Sequence, residues 1–239
     1  MEALIRKSLR KVQQTDSSFK RYLYDIIDWS DRLIFIKGAR GTGKTTLLLQ
    51  HIKENLGTSE EALYVSLDDI WFSDNNLVDL AENFVNLGGK FLYLDEVHKY
   101  PDWSREIKNI YDDHPGLKIV ITSSSALHIF KQQADLSRRA MVYDLRELSL
   151  REFIALRYGH LFPAVDLQHL LSDHVNLSFG IIEKIKPLRI FKEYCSIGSY
   201  PYFMENQDNY HQRLLITVNT ILETDLPAIL NIDYSSSTV

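Results

Sequence analysis

The chain has 239 residues, of which 45% are hydrophobic and 25% are charged, a composition typical of a globular protein with a buried core and not of a disordered chain. Its net charge of −5 gives no overall attraction to nucleic acid, so DNA or RNA binding would need a local basic patch. The single cysteine, Cys195, excludes an internal disulfide. No apolar run reaches the length of a membrane span, and the N-terminus has no apolar signal segment, so we expect a cytoplasmic protein without membrane contact.

The first part of the chain predicts a helical segment followed by alternating strands and helices. Residues 2–28 carry apolar side chains at three- and four-residue spacings, which predicts helix. Apolar runs then predict five strands, at residues 33–36, 62–67, 91–94, 117–121 and 140–143. Helical patterns lie between the strands, with N-caps expected at Ser73 or Asp74 and at Asp102. This alternation predicts an α/β fold, a mostly parallel five-stranded sheet flanked by helices.

The C-terminal part of the chain shows helical patterns only. Ser149 and Glu152 have the spacing of a capping box, which predicts the start of a helix. Further helices are predicted at residues 166–172, 178–186, 188–196 and 210–223. We therefore divide the chain into an N-terminal helical segment (residues 1–28), an α/β core (29–158) and a helical appendage (159–239), which we expect to begin a lid or a C-terminal domain.

The strongest chemical pattern lies between the first predicted strand and the helix after it. The residues there have the spacing G-x-x-x-x-G-K-T of a P-loop, and they are Gly38, Ala39, Arg40, Gly41, Thr42, Gly43, Lys44 and Thr45, followed directly by Thr46. Glycines let the backbone turn its N–H groups onto a phosphate, and the helix N-terminus adds positive potential. In such a loop Lys44 would contact the β- and γ-phosphates, and the hydroxyl of Thr45 would bind Mg²⁺. The pattern predicts a nucleotide site that includes Mg²⁺.

An acidic pair, Asp95 and Glu96, follows the third predicted strand. Ligands of open α/β sheets bind at the carboxyl ends of the strands, and an aspartate there holds Mg²⁺, commonly through water. An adjacent glutamate can take a proton from the attacking water as general base. Acidic residues are common at strand ends, but a position roughly fifty residues after a P-loop favours the catalytic interpretation. Glu96 and Lys44 are therefore catalytic candidates, and Asp95 and Thr45 are candidate metal ligands.

Three further polar groups are candidates for which alternatives stay open. Ser123 and Ser124 follow the fourth apolar run, where a hydroxyl could sense the γ-phosphate; the alternative is a serine-rich turn. Arg138 and Arg139 precede the fifth strand, and either could stabilise a phosphate of a neighbouring subunit or be an ordinary surface residue. The pair Asp68–Asp69 follows the second strand and could face the nucleotide, with helix capping as the alternative.

Together these segments resemble the prokaryotic AAA-type ATPases of the group usually labelled only "ATP-binding protein". The resemblance covers most of the chain, and its combination of segments is specific. It rests on the P-loop with Arg40, the acidic pair followed by Pro101-Asp102-Trp103, the turn Thr122–Ser125, an arginine before the fifth strand, Leu148–Phe153, Gly198-Ser199-Tyr200-Pro201 and Leu222-Glu223-Thr224-Asp225-Leu226-Pro227. The chain departs from the family at Ser123, where glycine is common, and at Arg138-Arg139, where glycine-arginine is common.

The resemblance implies an AAA-type P-loop NTPase fold with strand order 5-1-4-3-2, and an ATPase that binds ATP and Mg²⁺. By the same resemblance Arg139 is the candidate finger, supplied in trans within a homo-oligomer, and Ser123 or Ser124 lies near the γ-phosphate. Family members continue beyond Pro227 into a winged-helix or nuclease-like extension, so we expect this chain to be a truncated or a short member. Its partner, a protein or a nucleic acid, stays unknown.

Two other functions stay open from the sequence. One is a nucleotide-dependent binding module or switch, with slow hydrolysis and an association with DNA. The other is a phosphotransferase, which would need an acceptor pocket for which the sequence shows no pattern. GTP is disfavoured because the chain has no N-K-x-D segment to read the base.

Overall fold

The apolar runs of the sequence form one parallel sheet in the computed structural model, which describes residues 1–123, 136 and 138–225. Within these ranges the sheet has five strands, in the order β2-β3-β4-β1-β5. Every neighbouring pair is parallel. The predicted sheet and its order are therefore confirmed. The strands are β1 (Leu33–Lys37), β2 (Ala62–Ser66), β3 (Phe91–Asp95), β4 (Lys118–Ser123) and β5 (Met141–Asp144).

Helices follow the strands and cover both faces of the sheet. Numbered along the described chain, the α-helices are α1 (Glu2–Gln14), α2 (Lys44–Asn55), α3 (Leu77–Asn86), α4 (Trp103–Asp113), α5 (Leu150–Tyr158), α6 (Leu167–Ile182), α7 (Pro187–Ile197) and α8 (Tyr210–Thr220). Across those same ranges, no helix has both the length and the apolar composition that crossing a membrane requires.

Strands β1 to β4 are largely apolar because successive side chains point to opposite faces and both faces are covered, whereas β5 is mostly exposed. Along β1, Leu33 and Phe35 belong to the cluster that includes α3 and α4, whereas Ile34 and Ile36 belong to the cluster that includes α2. Helix α1 protects the outermost strand, β2: the Ser8 hydroxyl accepts a hydrogen bond from the N–H of Tyr64 at 3.0 Å.

One predicted helix start is wrong, and another has the predicted residue at its N-cap without a capping hydrogen bond from its side chain. The cap of α3 is Asn76, whose side chain accepts from the N–H of Asp79 at 2.7 Å. Ser73 and Asp74 cannot cap this helix because the chain first forms a separate 3₁₀ turn, Ile70–Ser73. Asp102 does occupy the N-cap position of α4, but its side chain makes no capping hydrogen bond.

Two predicted helical segments also differ. In residues 2–28 the α-helix ends at Gln14, and the second half contains only a 3₁₀ turn, Tyr22–Asp25. The helices predicted at 166–172 and 178–186 form the single helix α6, in which Asp173 alone has non-helical angles (φ −137°, ψ 23°). The apolar residues between the two predicted segments continue the helix, so the polar residues near Asp173 mark a kink and not a loop.

The residues separate into two compact units. The first contains Met1–Arg146 and the segment that begins at Thr217, and it includes the whole sheet. The second, Glu147–Ile216, is helical and has its own aromatic core, in which the Phe153 ring lies 5.0 Å from that of Phe203. Its first helix, α5, has the predicted capping box. The domain boundaries placed after residues 28 and 158 stay predictions.

Buried His51 in α2 should make the stability of the protein pH-dependent. Its ring stacks on Trp29, with centroids 3.7 Å apart, and its Nδ1 lies 2.8 Å from the Tyr93 hydroxyl. Burial lowers the pKa of His51 from 6.5 to about 4. As the pH falls, the ring of His51 therefore takes up a proton in the unfolded chain before it does so in the folded protein. The free energy of unfolding falls as the pH drops below 6.5, and the loss is complete below about 4.

We expect His51 alone to remove about 3 kcal/mol of stability across this window. Urea unfolding of the wild type and of His51→Gln at pH 7 and pH 4 measures it, because the variant keeps a polar side chain but lacks the titrating ring. The variant should lose about 3 kcal/mol less than the wild type. An equal loss in both proteins would show that His51 does not determine the pH dependence.

Candidate nucleotide and metal site

The P-loop connects β1 to α2 at the carboxyl edge of the sheet. Because β1 lies between β4 and β5, the loop starts in the interior of the sheet and not at its edge. Gly43, directly before α2, has the left-handed φ of 96°, which favours glycine. A Cβ atom on Gly38 would collide with the carbonyl oxygen of Leu145. The first glycine therefore allows a close approach of two backbones, and the last allows the sharp turn into the helix.

Lys44 is folded back over the loop that precedes it. Its Nζ donates to the carbonyl oxygens of Gly38 and Ala39, each at 2.8 Å, and the side chain is buried. Burial lowers the pKa of Lys44 to about 8, although the carboxylates of Asp95 and Glu96 partly oppose this shift. A phosphate inside the loop would add negative charge beside the ammonium group and favour its charged form.

Thr45 and Asp95 come together although they are fifty positions apart. The Thr45 hydroxyl donates to Oδ2 of Asp95 at 2.6 Å. A hydroxyl and a carboxylate are the hard oxygen donors that Mg²⁺ takes, and Mg²⁺ commonly has only one or two protein ligands, with water and phosphate as the others. The described ranges contain no group of three or more His, Cys, Asp or Glu arranged to hold a metal. The pair therefore fits Mg²⁺.

Glu96 has a backbone conformation that is unusual for its residue type. It lies in the left-handed region (φ 54°, ψ 43°), where a side chain costs about 1–2 kcal/mol, and its N–H donates to Oγ1 of Thr122 at 3.1 Å. Burial, and then the charge of Asp95, raise the pKa of the Glu96 carboxyl, whereas Arg40 and Lys44 act against this shift. The carboxyl of Glu96 is thus held next to the P-loop at a strained position, which is typical of functional sites.

The remaining candidates, Thr46 of the P-loop and the sensor residues Ser123 and Ser124, differ in their exposure and contacts. Thr46 is exposed in the first turn of α2. Ser123 ends β4 with a buried side chain, and its Oγ lies 3.3 Å from Nδ1 of His98. Ser124 lies outside the described residues. Only Ser123 of the two sensor candidates can therefore be placed, at the same edge of the sheet as Asp95.

Arg139 lies away from the P-loop of its own chain. Its guanidinium makes two hydrogen bonds of 3.0 Å to the carboxylate of Asp112. Arg139 precedes β5, whose first residue, Met141, lies beside Ile34 near the start of β1, whereas the P-loop follows the other end of β1. Arg139 therefore lies before the amino end of β5, and the P-loop lies at the carboxyl edge of the sheet.

Two residues around this site, Tyr64 and Arg21, were not predicted to have a role there, and Thr122 was predicted only as part of the turn Thr122–Ser125. The Tyr64 hydroxyl donates to Oδ2 of Asp95 at 2.7 Å, and the Thr122 hydroxyl donates to Oδ1 of the same carboxylate. Buried Arg21 donates to the carbonyl oxygen of Thr42 in the P-loop, and to that of Arg146 at 2.6 Å. In the sequence Tyr64 stands within a predicted strand, and Arg21 is one of several basic residues of the N-terminal segment. No local pattern therefore marks either residue as part of the site.

The fold and this site together define a class of protein. A parallel sheet, a phosphate loop between an interior strand and its helix, and an acidic pair after a neighbouring strand form the P-loop NTPase fold, here with a helical C-terminal region.

The family within that class follows from comparison with known proteins. Residues 30–154, more than half of the chain, match a family model described as an AAA domain, and the chain belongs to this family. The predicted AAA-type resemblance is thereby confirmed. An AAA domain is a nucleotide-binding, ATPase-like domain.

Individual relatives have low sequence identity to this chain. The chain is 28% identical over 237 residues to the protein named Uncharacterized protein MJ1637 of Methanocaldococcus jannaschii, covering 90% of this chain and 50% of that protein's length. Among solved structures it is similar to PCH-2 of C. elegans, with 19% identity, coverage of 72% and 52% of the two chains, and a TM-score of 0.40. It is also similar to AMPPCP-bound DnaA of Aquifex aeolicus, with 15% identity, coverage of 92% and 68%, and a TM-score of 0.39.

Proposed function

We propose that this chain is a cytoplasmic, Mg²⁺-dependent ATPase that uses ATP hydrolysis to act on a protein or nucleic-acid partner. The observation that carries the proposal is the contact of 2.6 Å between the Thr45 hydroxyl and the Asp95 carboxylate. It joins the end of the P-loop to the acidic strand end, so that metal ligands and general base share one edge of the sheet. Family membership supports the nucleotide, and the geometry of this edge supports its hydrolysis.

The residues have distinct parts in the proposed reaction. The backbone of the P-loop and Lys44 bind the β- and γ-phosphates. Glu96 takes a proton from water while the water oxygen bonds to the γ-phosphorus, and the bond from this phosphorus to the β–γ bridging oxygen breaks, leaving ADP and inorganic phosphate. Mg²⁺, held by Thr45 and Asp95, would neutralise negative charge on the phosphate oxygens. Ser123 is proposed to contact the γ-phosphate.

Phosphate release from ATP by the purified full chain, with Mg²⁺ and with EDTA, tests this function. We expect repeated turnover that requires Mg²⁺. A nucleotide-dependent switch would instead bind Mg²⁺ and ATP tightly and hydrolyse the bound ATP slowly under single-turnover conditions. Added DNA would accelerate this hydrolysis. Transfer of the labelled γ-phosphate to a metabolite, with no free phosphate released, would support a phosphotransferase.

We further propose that Arg139 completes the site of a neighbouring copy. Arg139 precedes the amino end of β5 and contacts Asp112, whereas the P-loop lies at the carboxyl edge of the sheet, which supports a contact with the γ-phosphate of another subunit and not of its own. The ATPase rate per subunit should therefore rise with protein concentration, and Arg139→Ala should lower the rate at high concentration at least about tenfold.

Arg138→Ala is the matched control for this prediction. Arg138 is the exposed neighbour of Arg139, and its replacement removes one positive charge from the same segment. We expect it to keep the concentration dependence and most of the rate. A rate per subunit that does not change with concentration in the wild type would contradict a role in trans.

A further inference from the structure

The carboxylate of Asp95 is enclosed by hydroxyl groups from three different elements. It is 2% exposed, and a buried charge of this kind is stable only when hydrogen-bond donors replace water. Thr45 of α2 and Tyr64 of β2 both donate to Oδ2, at 2.6 and 2.7 Å, and Thr122 of β4 donates to Oδ1. Both oxygens of the proposed metal ligand are therefore held by protein groups.

The three donors differ in their relation to the metal. Thr45 is itself a proposed ligand of Mg²⁺, so its hydroxyl would be engaged by the ion as well as by Asp95. Tyr64 and Thr122 are not in the P-loop, and their contacts with Asp95 come from the strands on either side of β3. They are consequently the donors that can orient the carboxylate independently of the metal.

The environment of Tyr64 keeps its hydroxyl a donor. The side chain is 4% exposed, and the ammonium group of Lys11 lies 4.8 Å from the ring centroid. A tyrosine phenol is protonated at physiological pH, since its ordinary pKa is about 10, and here its hydroxyl points at Oδ2 of Asp95 at 2.7 Å. A protonated phenol beside an ionised carboxylate makes a charge-assisted hydrogen bond, which is stronger than a neutral one.

We infer that Tyr64 is a positioning residue for the metal: its hydroxyl holds Oδ2 of Asp95 against the hydroxyl of Thr45, while Thr122 holds Oδ1. The inference rests on the proposed function, since it concerns the same Mg²⁺. Hydrogen bonds that orient a metal ligand typically change metal affinity 10–100-fold when they are removed. Tyr64 would thus contribute to the metal site without touching either the metal or the nucleotide.

Tyr64→Phe, which removes only the hydroxyl, tests this role, and Tyr93→Phe is its matched control. Tyr93 lies directly beside Tyr64 in the β2–β3 pair, is 1% exposed, and directs its hydroxyl to His51 at 2.8 Å and not to Asp95. Each variant loses one buried hydroxyl from the same level of the sheet. Any difference between them in metal dependence therefore reports the contact with Asp95 and not a general loss of packing.

The measurement is the affinity of the full chain for ADP, by calorimetry, first in EDTA and then in Mg²⁺. In EDTA all three proteins should bind ADP equally within about twofold, because Tyr64 is not part of the phosphate loop. We expect the strengthening of ADP binding by Mg²⁺ to fall about tenfold in Tyr64→Phe and to be unchanged in Tyr93→Phe. The Mg²⁺ concentration for half-maximal hydrolysis should rise by a similar factor in Tyr64→Phe alone.

A second pair of variants covers the case in which Tyr64→Phe does not fold. Thr122→Val keeps the shape of the side chain but removes the donor to the other oxygen of Asp95, together with the acceptor of the Glu96 N–H, and should cause a similar loss of the Mg²⁺ effect on ADP binding. Thr122→Ser keeps a hydroxyl and should restore it.

Equal Mg²⁺ effects in Tyr64→Phe and Tyr93→Phe, or a loss in Thr122→Val that Thr122→Ser does not reverse, would overturn the positioning role. These results would leave the proposed ATPase intact, because the wild type would still show the Mg²⁺ effect. If Mg²⁺ does not strengthen ADP binding in the wild type itself, the proposed metal site and the role of Tyr64 are both wrong.

Discussion

Lys44→Ala is expected to weaken ATP and ADP binding about 100-fold or more and to leave no measurable hydrolysis. Each hydrogen bond to a charged group contributes about 1.5–3 kcal/mol, and the ammonium group is expected to contact two phosphates. Lys44 is also buried at the loop, so we expect no other cation to take the place of its ammonium group in Lys44→Ala. Calorimetric titration with Mg²⁺ and nucleotide measures the binding, and phosphate release measures the turnover.

Lys53→Ala is the control for this experiment. Lys53 lies in the same helix, α2, but in its last turn, where its Nζ donates to the carbonyl oxygens of Gln13 and Thr15. The replacement removes an equal charge from α2 at the end away from the phosphate loop. We expect nucleotide binding to remain within about twofold of the wild type. Equal affinities in Lys44→Ala and the wild type would reject the P-loop as the nucleotide site.

Glu96→Gln should separate binding from hydrolysis. Glutamine has the same shape and leaves the backbone hydrogen bond from Glu96 to Thr122 in place, so the loop geometry and nucleotide affinity should be retained. Glutamine cannot accept the proton of the attacking water, and general-base catalysis typically contributes about 10²–10⁴-fold. We expect kcat to fall by about that factor at an unchanged ATP affinity. Single-turnover hydrolysis and calorimetry measure the two quantities on the same sample.

Asp68→Asn distinguishes loss of the base from loss of charge. The carboxylate of Asp68 is close enough to contribute to the raised pKa of Glu96, yet it accepts a hydrogen bond from Ser66 at 2.5 Å and is not adjacent to the P-loop in the chain. Its replacement removes one negative charge near the site but keeps the glutamate. We expect kcat to change by less than about tenfold. If both variants lost activity equally, the local charge and not the base would be the cause.

The parts of the site that the sequence predicted are those built from neighbouring residues. Gly38–Thr45 is a continuous segment, and its spacing alone specifies the turn, the helix start and the lysine. Asp95 and Glu96 follow an apolar run, and a strand end can be located without knowing where the strand lies in the sheet. The apolar runs likewise predicted all five strands. Four of them are buried and therefore contain few polar residues, and the exposed edge strand β5 still begins with apolar side chains.

Predictions failed where a local pattern had more than one structural solution. Ser73, Asp74 and Asn76 are all good N-caps, and only the intervening 3₁₀ turn decides that Asn76 begins α3. The polar residues around Asp173 indicate a break between two helices, but the chain tolerates one non-helical residue and continues as α6. In both places the sequence identified a helix, and the backbone conformation of the folded chain decided its limits.

The sequence by itself predicted a phosphate-binding site at a strand–loop–helix junction, because that segment is made of consecutive residues. Only the tertiary structure decided which side chains surround it. Tyr64 and Thr122 meet Asp95 because β2 and β4 lie on either side of β3, and Arg21 reaches the P-loop from the N-terminal segment. Contacts of this kind depend on strand order and register, which join positions far apart in the chain and leave no local pattern in the sequence.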